Sequence, residues 1–290
     1  GYDMVLFFRV VTITILIAYA IYMYRDIIKH KEKDSFFHMI LYGIMGFVLN
    51  LLDTLGVGSN ATQMAFFKLT KLSPDDHLPA NGNVIFAIPV GVEFLLFLDI
   101  VEVDTVTLIT MLVSSVLGAI VGARIVSRLP VNTLRKILAV ILPCVAVILI
   151  CKLNGFGPFG MMGEEIGLTG GKLVIGIVVN FVLGALMTCG VGLYAPCMAL
   201  CALLGMNISV AFPIMMGSCA FLMPPASVEF VKSGKYNRPA AAIATITGIF
   251  GVLAAYYIVK SMPITLLTWI VAAVLIYMSI SFVLTLKKEK

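Results

Sequence analysis

Charge is what this chain lacks. Only 12% of its 290 residues are Asp, Glu, Lys or Arg, 61% are hydrophobic, and the mean hydropathy is +1.08. Soluble domains carry about 25% charged residues, so the composition excludes a soluble enzyme or binding module and describes a polytopic membrane protein. Between Lys172 and Glu229 there is no Asp, Glu, Lys, Arg or His at all. That stretch is too long for one buried helix and suffices for more than one span of about 20 residues. A basic domain is missing too. The net charge of +5 comes from Lys and Arg gathered in short stretches between apolar runs, which suits membrane orientation and leaves no nucleic-acid surface.

Catalytic signatures are equally scarce. There is no His-Glu-x-x-His pair, no pair of catalytic carboxylates and no Ser/His/Asp constellation, so no enzyme, metal or cofactor chemistry is expected. The six cysteines (Cys144, Cys151, Cys189, Cys197, Cys201 and Cys219) lie in or beside apolar segments without the spacing of a disulfide framework or zinc site. They read as small packing residues. Cys197 and Cys201, four apart on one helix face, leave a thiol relay as the least favoured alternative. The first apolar run, Met4 to Tyr24, contains Arg9 and has no small-residue cleavage signature before its basic flank, so it reads as a retained helix.

What is present is a degenerate internal repeat. Gly56, Val57 and Gly58 match Gly190, Val191 and Gly192 at an offset of 134 residues, and Pro79 matches Pro213 at the same offset. Gly118 and Pro130 match Gly251 and Pro263 at 133. Gly82 to Pro89 with Val92-Glu93-Phe94 aligns with Gly217 to Pro224 with Val228-Glu229-Phe230. After the first helix, apolar segments fall at 36–55, 61–72, 79–98, 105–125 and 134–150, then at 173–188, 195–204, 209–231, 239–259 and 264–286. The segments at 61–72 and 195–204 span only about 18 and 15 Å at roughly 1.5 Å per residue, too short to cross a core of about 30 Å alone. They read as half-helices.

Loop charges predict the orientation, since Lys and Arg collect on the cytoplasmic side. Arg25 to Lys33, Lys68 with Lys71, Arg124 to Lys136, Lys232 to Arg238, and Lys287, Lys288 and Lys290 mark inside loops, whereas Asp99 to Asp104 is acidic and external. Five crossings per repeat satisfy all of these with an external amino terminus and a cytoplasmic carboxyl terminus. The expected fold is therefore an all-α integral membrane protein of two inverted-topology five-segment repeats with broken half-helices, plus an N-terminal transmembrane helix. Its expected divisions are the first helix and basic loop (1–35), repeat one (36–153), an external linker (154–171) and repeat two (172–290).

Gly56 to Asn60 and Gly190 to Pro196 each end a long helix and begin a short one, Pro196 suiting a first helical turn. Irregular backbone at membrane depth is tolerated only where protein or a hydrated cavity covers it, and paired helix breaks mark transporter sites. Two short helices pointing their amino-terminal N–H groups at one cavity suit an anion. The substrate-binding candidates are Gly56, Gly58, Ser59, Asn60, Thr62 and Gln63 at the first break, and Gly190, Gly192, Tyr194 and Pro196 at the second. Asn81, Gly82, Asn83, Gly217, Ser218 and Cys219 join them, where the following helix is expected to begin or be interrupted. For the amides and hydroxyls, interhelical hydrogen bonding is the competing role. Asp53, three residues before the first break and matched by Met187, is the candidate for a coupling proton, with backbone hydrogen bonding as its alternative. Glu93 and Glu229 read as interfacial anchors, and His77 as a solvated loop residue.

These motifs resemble the TauE/SafE sulfite and organosulfonate exporters, the DUF81 permeases. The resemblance rests on the paired glycine breaks, on Pro79 to Asn83 and Pro213 to Ser218, and on the Arg-x-x-x-Arg-Leu-Pro loop ending at Pro130. It extends over nearly all of the chain after the first helix, although Ser59-Asn60 and Leu193-Tyr194 stand where the family has more glycine. It implies transport of sulfite, sulfonates or related oxyanions across a cytoplasmic membrane by alternating access, with a passive anion channel as the nearest rival. The implied partners are a small anion, the lipid bilayer and, as an open assembly state, a second copy of the chain.

Overall fold

The computed structural model describes residues 2–125 and 128–289. Val126 and Ser127 of the Arg124 to Pro130 loop, and Lys290 of the terminal basic cluster, lie outside the described residues. The chain forms α1 (Tyr2–His30), α2 (Phe36–Thr54), α3 (Asn60–Thr70), α4 (Leu78–Val84), α5 (Ala87–Ile100), α6 (Thr105–Ile125) and α7 (Val131–Asn154). It continues with α8 (Gly170–Met187), α9 (Tyr194–Leu203), α10 (Ala211–Ser233), α11 (Arg238–Lys260) and α12 (Ile264–Lys288). Single 3-10 turns, Asp75–His77 and Ile208–Val210, lead into α4 and α10. No strand occurs among the described residues.

Nine helical stretches among the described residues are long and apolar enough to cross a membrane, and the protein is an all-α, multi-pass membrane protein. The α1 helix shows how such a helix is used. Phe8, Thr12, Leu16, Tyr19 and Met23 are buried, while Leu6, Val10, Ile13, Ile17 and Ile21 are exposed. An outward apolar face is at no disadvantage in hydrocarbon, and the remaining stripe packs. Arg9, the charge inside this helix, is paired with Asp99 at the end of α5.

The residues divide into two compact units that interleave along the chain. The first gathers the residues up to Thr54, Gly58–Asp99 and Cys219–Ile258; the second gathers Leu55–Val57, Ile100–Ser218 and the residues from Val259 onward. In the first unit α2 lies against α11. A Cβ on Gly251 would collide with the carbonyl of Phe47, and one on Gly46 would come within 2.5 Å of the Ala244 backbone. Phe8, Phe94 and Phe221 meet beside them with ring centroids 5.6 to 6.0 Å apart.

In the second unit α6 lies against α8 through the same positions of the repeat. Here a Cβ on Gly118 would collide with the carbonyl of Phe181, Phe181 being offset from Phe47 by 134 and Gly251 from Gly118 by 133. Helices approach this closely only where a side chain is missing, the usual basis of tight packing in membranes. Asn180 reinforces the contact by donating to the Met111 carbonyl at 2.7 Å.

Each unit also gathers loops. In the second, Asp104 N–H donates to the Ile166 carbonyl and Asn207 N–H to the Glu165 carbonyl, which draws the α5–α6 loop, the 155–169 linker and the loop after α9 together. In the first, Arg238 binds both Asp26 and Glu32, at 2.8 and 2.6 Å, tying the start of α11 to the last turns of α1 and to the α1–α2 connection. The neighbouring Tyr236 hydroxyl also binds Asp26. Burial and that carboxylate hold its phenol well above the ordinary range.

Candidate functional site

The first break is built by glycine. Gly56 and Gly58 take φ values of +105° and +82°, in the left-handed region where a side chain is strained, and this lets the chain turn between α2 and α3. Gly56 also leaves room for a neighbour. A Cβ there would lie 2.9 Å from the Met198 methyl of α9, so within the second unit the first break abuts the second short helix. Ser59 is buried but its side chain does not cap α3. Thr62 bonds back to the Gly58 and Ser59 carbonyls at 3.3 and 3.1 Å, and Asn60 is half-buried.

Further along, α3 meets α4 in a polar contact. Gln63 is fully buried and its Nε2 donates to the Leu78 carbonyl at 3.0 Å. Gly82 makes room for this arrangement, since a Cβ on it would sit 2.9 Å from both Asn60 Oδ1 and Gln63 Nε2. Asn81, also fully buried, accepts the Asn237 backbone N–H on its Oδ1 at 2.9 Å. These bonds leave one buried polar atom on each side chain without a protein partner, the Gln63 Oε1 and the Asn81 Nδ2. Asn83 is half-buried and bonds to the Pro79 carbonyl of its own helix.

Gly82 and Asn83 lie inside α4, and the interruption expected there comes after them, at Ile85 and Phe86. The expected interruption at Gly217 and Ser218 is absent: α10 runs unbroken through both residues. Ser218 satisfies its hydroxyl against the Ile214 carbonyl of its own helix at 2.7 Å, with Asn180 3.4 Å away. That is the packing role a small hydroxyl side chain takes between membrane helices.

The second break turns on Gly190, at φ +85°, followed by half-buried Gly192. Tyr194 and Pro196 are buried in the first turn of α9, where proline's missing N–H leaves no intrahelical bond unmade. Cys197 and Cys201 share its buried face, and all six cysteines are free thiols. Leu193 provides no side-chain cap, as Ser59 provides none for α3.

Asp53 is 2% exposed at the end of α2, and Glu93 in α5 is completely enclosed. The anchoring role expected of Glu93 is therefore incorrect: its helix is buried around it, in α5. Glu229 fits that role, exposed and 3.4 Å from Lys232. His77 is half-buried in the 3-10 turn before α4. Among the described residues no group of three His, Cys, Asp or Glu is arranged to hold a metal ion.

A cavity of about 580 Å³ opens at the carboxyl end of α3, lined by Lys68, Lys71, Ser73 and Asp75 together with Phe67, Leu72 and Pro74. Ser73 connects its wall to the interior, because the Ser73 hydroxyl accepts from Asn237 Nδ2 at 3.0 Å. Asn50 in the first unit and Asn180 in the second are buried polar residues that motif spacing did not reveal; a polar residue within an apolar run was the available signal.

Long apolar helices, two glycine-broken half-helices and a few buried amides define a multi-pass membrane protein with broken helices. The chain belongs to the TauE/SafE family: the family model described as "Sulfite exporter TauE/SafE" matches residues 3–149, just over half of its length. The matched region includes α1, which the motif resemblance did not cover, and stops before the second break. No curated protein and no solved structure matches the chain.

Proposed function

We propose that the protein is a secondary transporter that moves a small sulfur-containing anion, sulfite or a sulfonate, across a cytoplasmic membrane by alternating access. The observation that carries this reading is the enclosed Asn81 amide beside the first break, whose Nδ2 has no protein acceptor, in a chain whose family is described by sulfite export. Amide N–H groups bind an oxyanion without the cost of burying a permanent cation. The uncapped start of α3 contributes partial positive charge in the same sense. Within the first unit, Asn60, Thr62, Asn83 and the glycines at 58 and 82 supply the remaining surface, with Ser59 supporting it. Asp53 carries the coupling proton.

Radiolabelled sulfite flux into proteoliposomes tests this. Saturable uptake that responds to a pH gradient and shows counterflow is the expected result. Asp53→Asn should remove the response to the pH gradient by at least tenfold while leaving exchange at equal pH intact. Ungated, non-saturating current would instead identify a passive anion channel.

A further inference from the structure

Asn237 makes more bonds than its position in the chain requires. Its Oδ1 accepts the Ala240 N–H at 3.0 Å and so caps α11. Its repeat counterpart at an offset of 133, Asp104, caps α6 in the same way through the Thr107 N–H at 3.0 Å. A carboxylate is thus sufficient for the cap. What the amide adds is donation. Asn237 Nδ2 reaches the Leu72 carbonyl at 3.2 Å and Ser73 Oγ at 3.0 Å, which pins the loop after α3 against the start of α11.

Anchored in this way, Asn237 sets its own backbone N–H 2.9 Å from Asn81 Oδ1. A donor can be met only by the oxygen of the Asn81 amide, so the orientation of that amide is set and its NH₂ group faces the other way. That NH₂ group is the enclosed Nδ2 with no protein acceptor. In the second repeat Asn81 falls opposite Met215 or Met216, both buried, so no packing rule shared by the repeats calls for an amide there.

We propose that Asn237 is a positioning residue, which holds the Asn81 amide with its NH₂ group presented as a hydrogen-bond donor to the transported oxyanion. With the amide reversed, Asn81 would turn its carbonyl oxygen toward the anion and repel it. The inference rests on the oxyanion reading of the site and assigns the donor within it.

Substitutions separate this role from a structural one. Asn81→Asp keeps the acceptor for the Asn237 N–H and removes the donor; Asn81→Leu removes both. Donation to an anion predicts that Asn81→Asp is the more damaging, losing at least a hundredfold in kcat/KM for sulfite in proteoliposomes, against about tenfold for Asn81→Leu. A purely structural Asn81 predicts instead that both variants lower the melting temperature and the amount of folded protein, with kcat/KM per folded protein unchanged. Asn237→Asp retains the α11 cap but sets a carboxylate oxygen against the Leu72 carbonyl. It should raise KM for sulfite about tenfold with kcat within twofold and with the melting temperature in detergent little changed. Sulfite transport that survives Asn81→Asp, or an Asn237→Asp protein with unchanged KM, overturns the inference alone. A wild-type protein that neither binds nor moves sulfite or methanesulfonate overturns the functional reading and the inference with it.

Discussion

Asp34, in the connection between α1 and α2, accepts hydrogen bonds from the Tyr42 hydroxyl at 2.7 Å and the Ser35 N–H at 2.8 Å, and lies 2.6 Å from His38 Nδ1. Partial burial pushes its carboxyl upward, but the bonds from Tyr42, His38 and Ser35 outweigh burial and bring it below the ordinary 3.8. A carboxylate lowered in the folded state stabilises the protein fully above its unfolded pKa, and the contribution fades as pH falls through the folded value. Asp34→Asn should therefore melt below wild type at pH 7, and the gap should begin to narrow near pH 4 and close only once pH has fallen through the lowered folded value, where the Asp34 carboxyl too is neutral. Melting curves of the detergent-solubilised protein check this, and a gap independent of pH would show that the charge of Asp34 contributes nothing. Not every residue role of this kind is legible in a sequence. The glycines at 56, 58 and 190 were, because a turn inside an apolar run has few other causes. Glu93 was not: its sequence equivalence to Glu229 hid the fact that one faces the protein interior and the other the surface. Asn237 was missed because it sits in a polar loop, where asparagine is commonplace, and its partners are 156 to 195 positions away.

At the scale of elements, helix ends were legible because apolar runs and basic flanks bound them. The run expected at 105–125 is α6 as observed, and that at 264–286 differs from α12 only at its end. The continuity of α10 was not legible, since glycine and serine read as an interruption and two later prolines, Pro224 and Pro225, lie within the helix as well. Membrane helices tolerate proline in this way. Close packing gives a sharper test. At Gly118 and Gly251 the atom facing an added methyl group is a backbone carbonyl of the partner helix, which cannot move without shifting that helix. At Gly91 it is the end of the flexible Leu16 side chain. Overpacking costs about 1 to 3 kcal/mol or more, so Gly118→Ala and Gly251→Ala should fall at or above the top of that range, and Gly91→Ala near or below the bottom. Thermal melting of the three variants in one detergent decides it, and equal losses would mean that the helix pairs are looser than described.

For the whole molecule the deciding property is orientation. The correspondence of Phe47 with Phe181 and of Gly251 with Gly118 means that each repeat lends its first long helix to a contact with the fourth segment of the other. An odd number of crossings per repeat would turn the two copies upside down relative to each other, which is the arrangement that lets secondary transporters expose one site alternately to either side. Loop charge supports it: basic residues fill the connections around residues 31–33 and 232–238, and acidic ones the connection at 99–104 and the linker at 164–165. In a functional protein freed of its native cysteines, Lys33→Cys and Lys235→Cys should resist a membrane-impermeant maleimide in intact cells and react once the cells are opened. Glu102→Cys and Glu164→Cys should react in both conditions. Labelling of Lys235→Cys in intact cells, with Lys33→Cys still protected, would make the repeats parallel and leave alternating access without its structural basis. The assay needs no substrate, so its outcome bears on the mechanism even if the transported anion proves to be a different one.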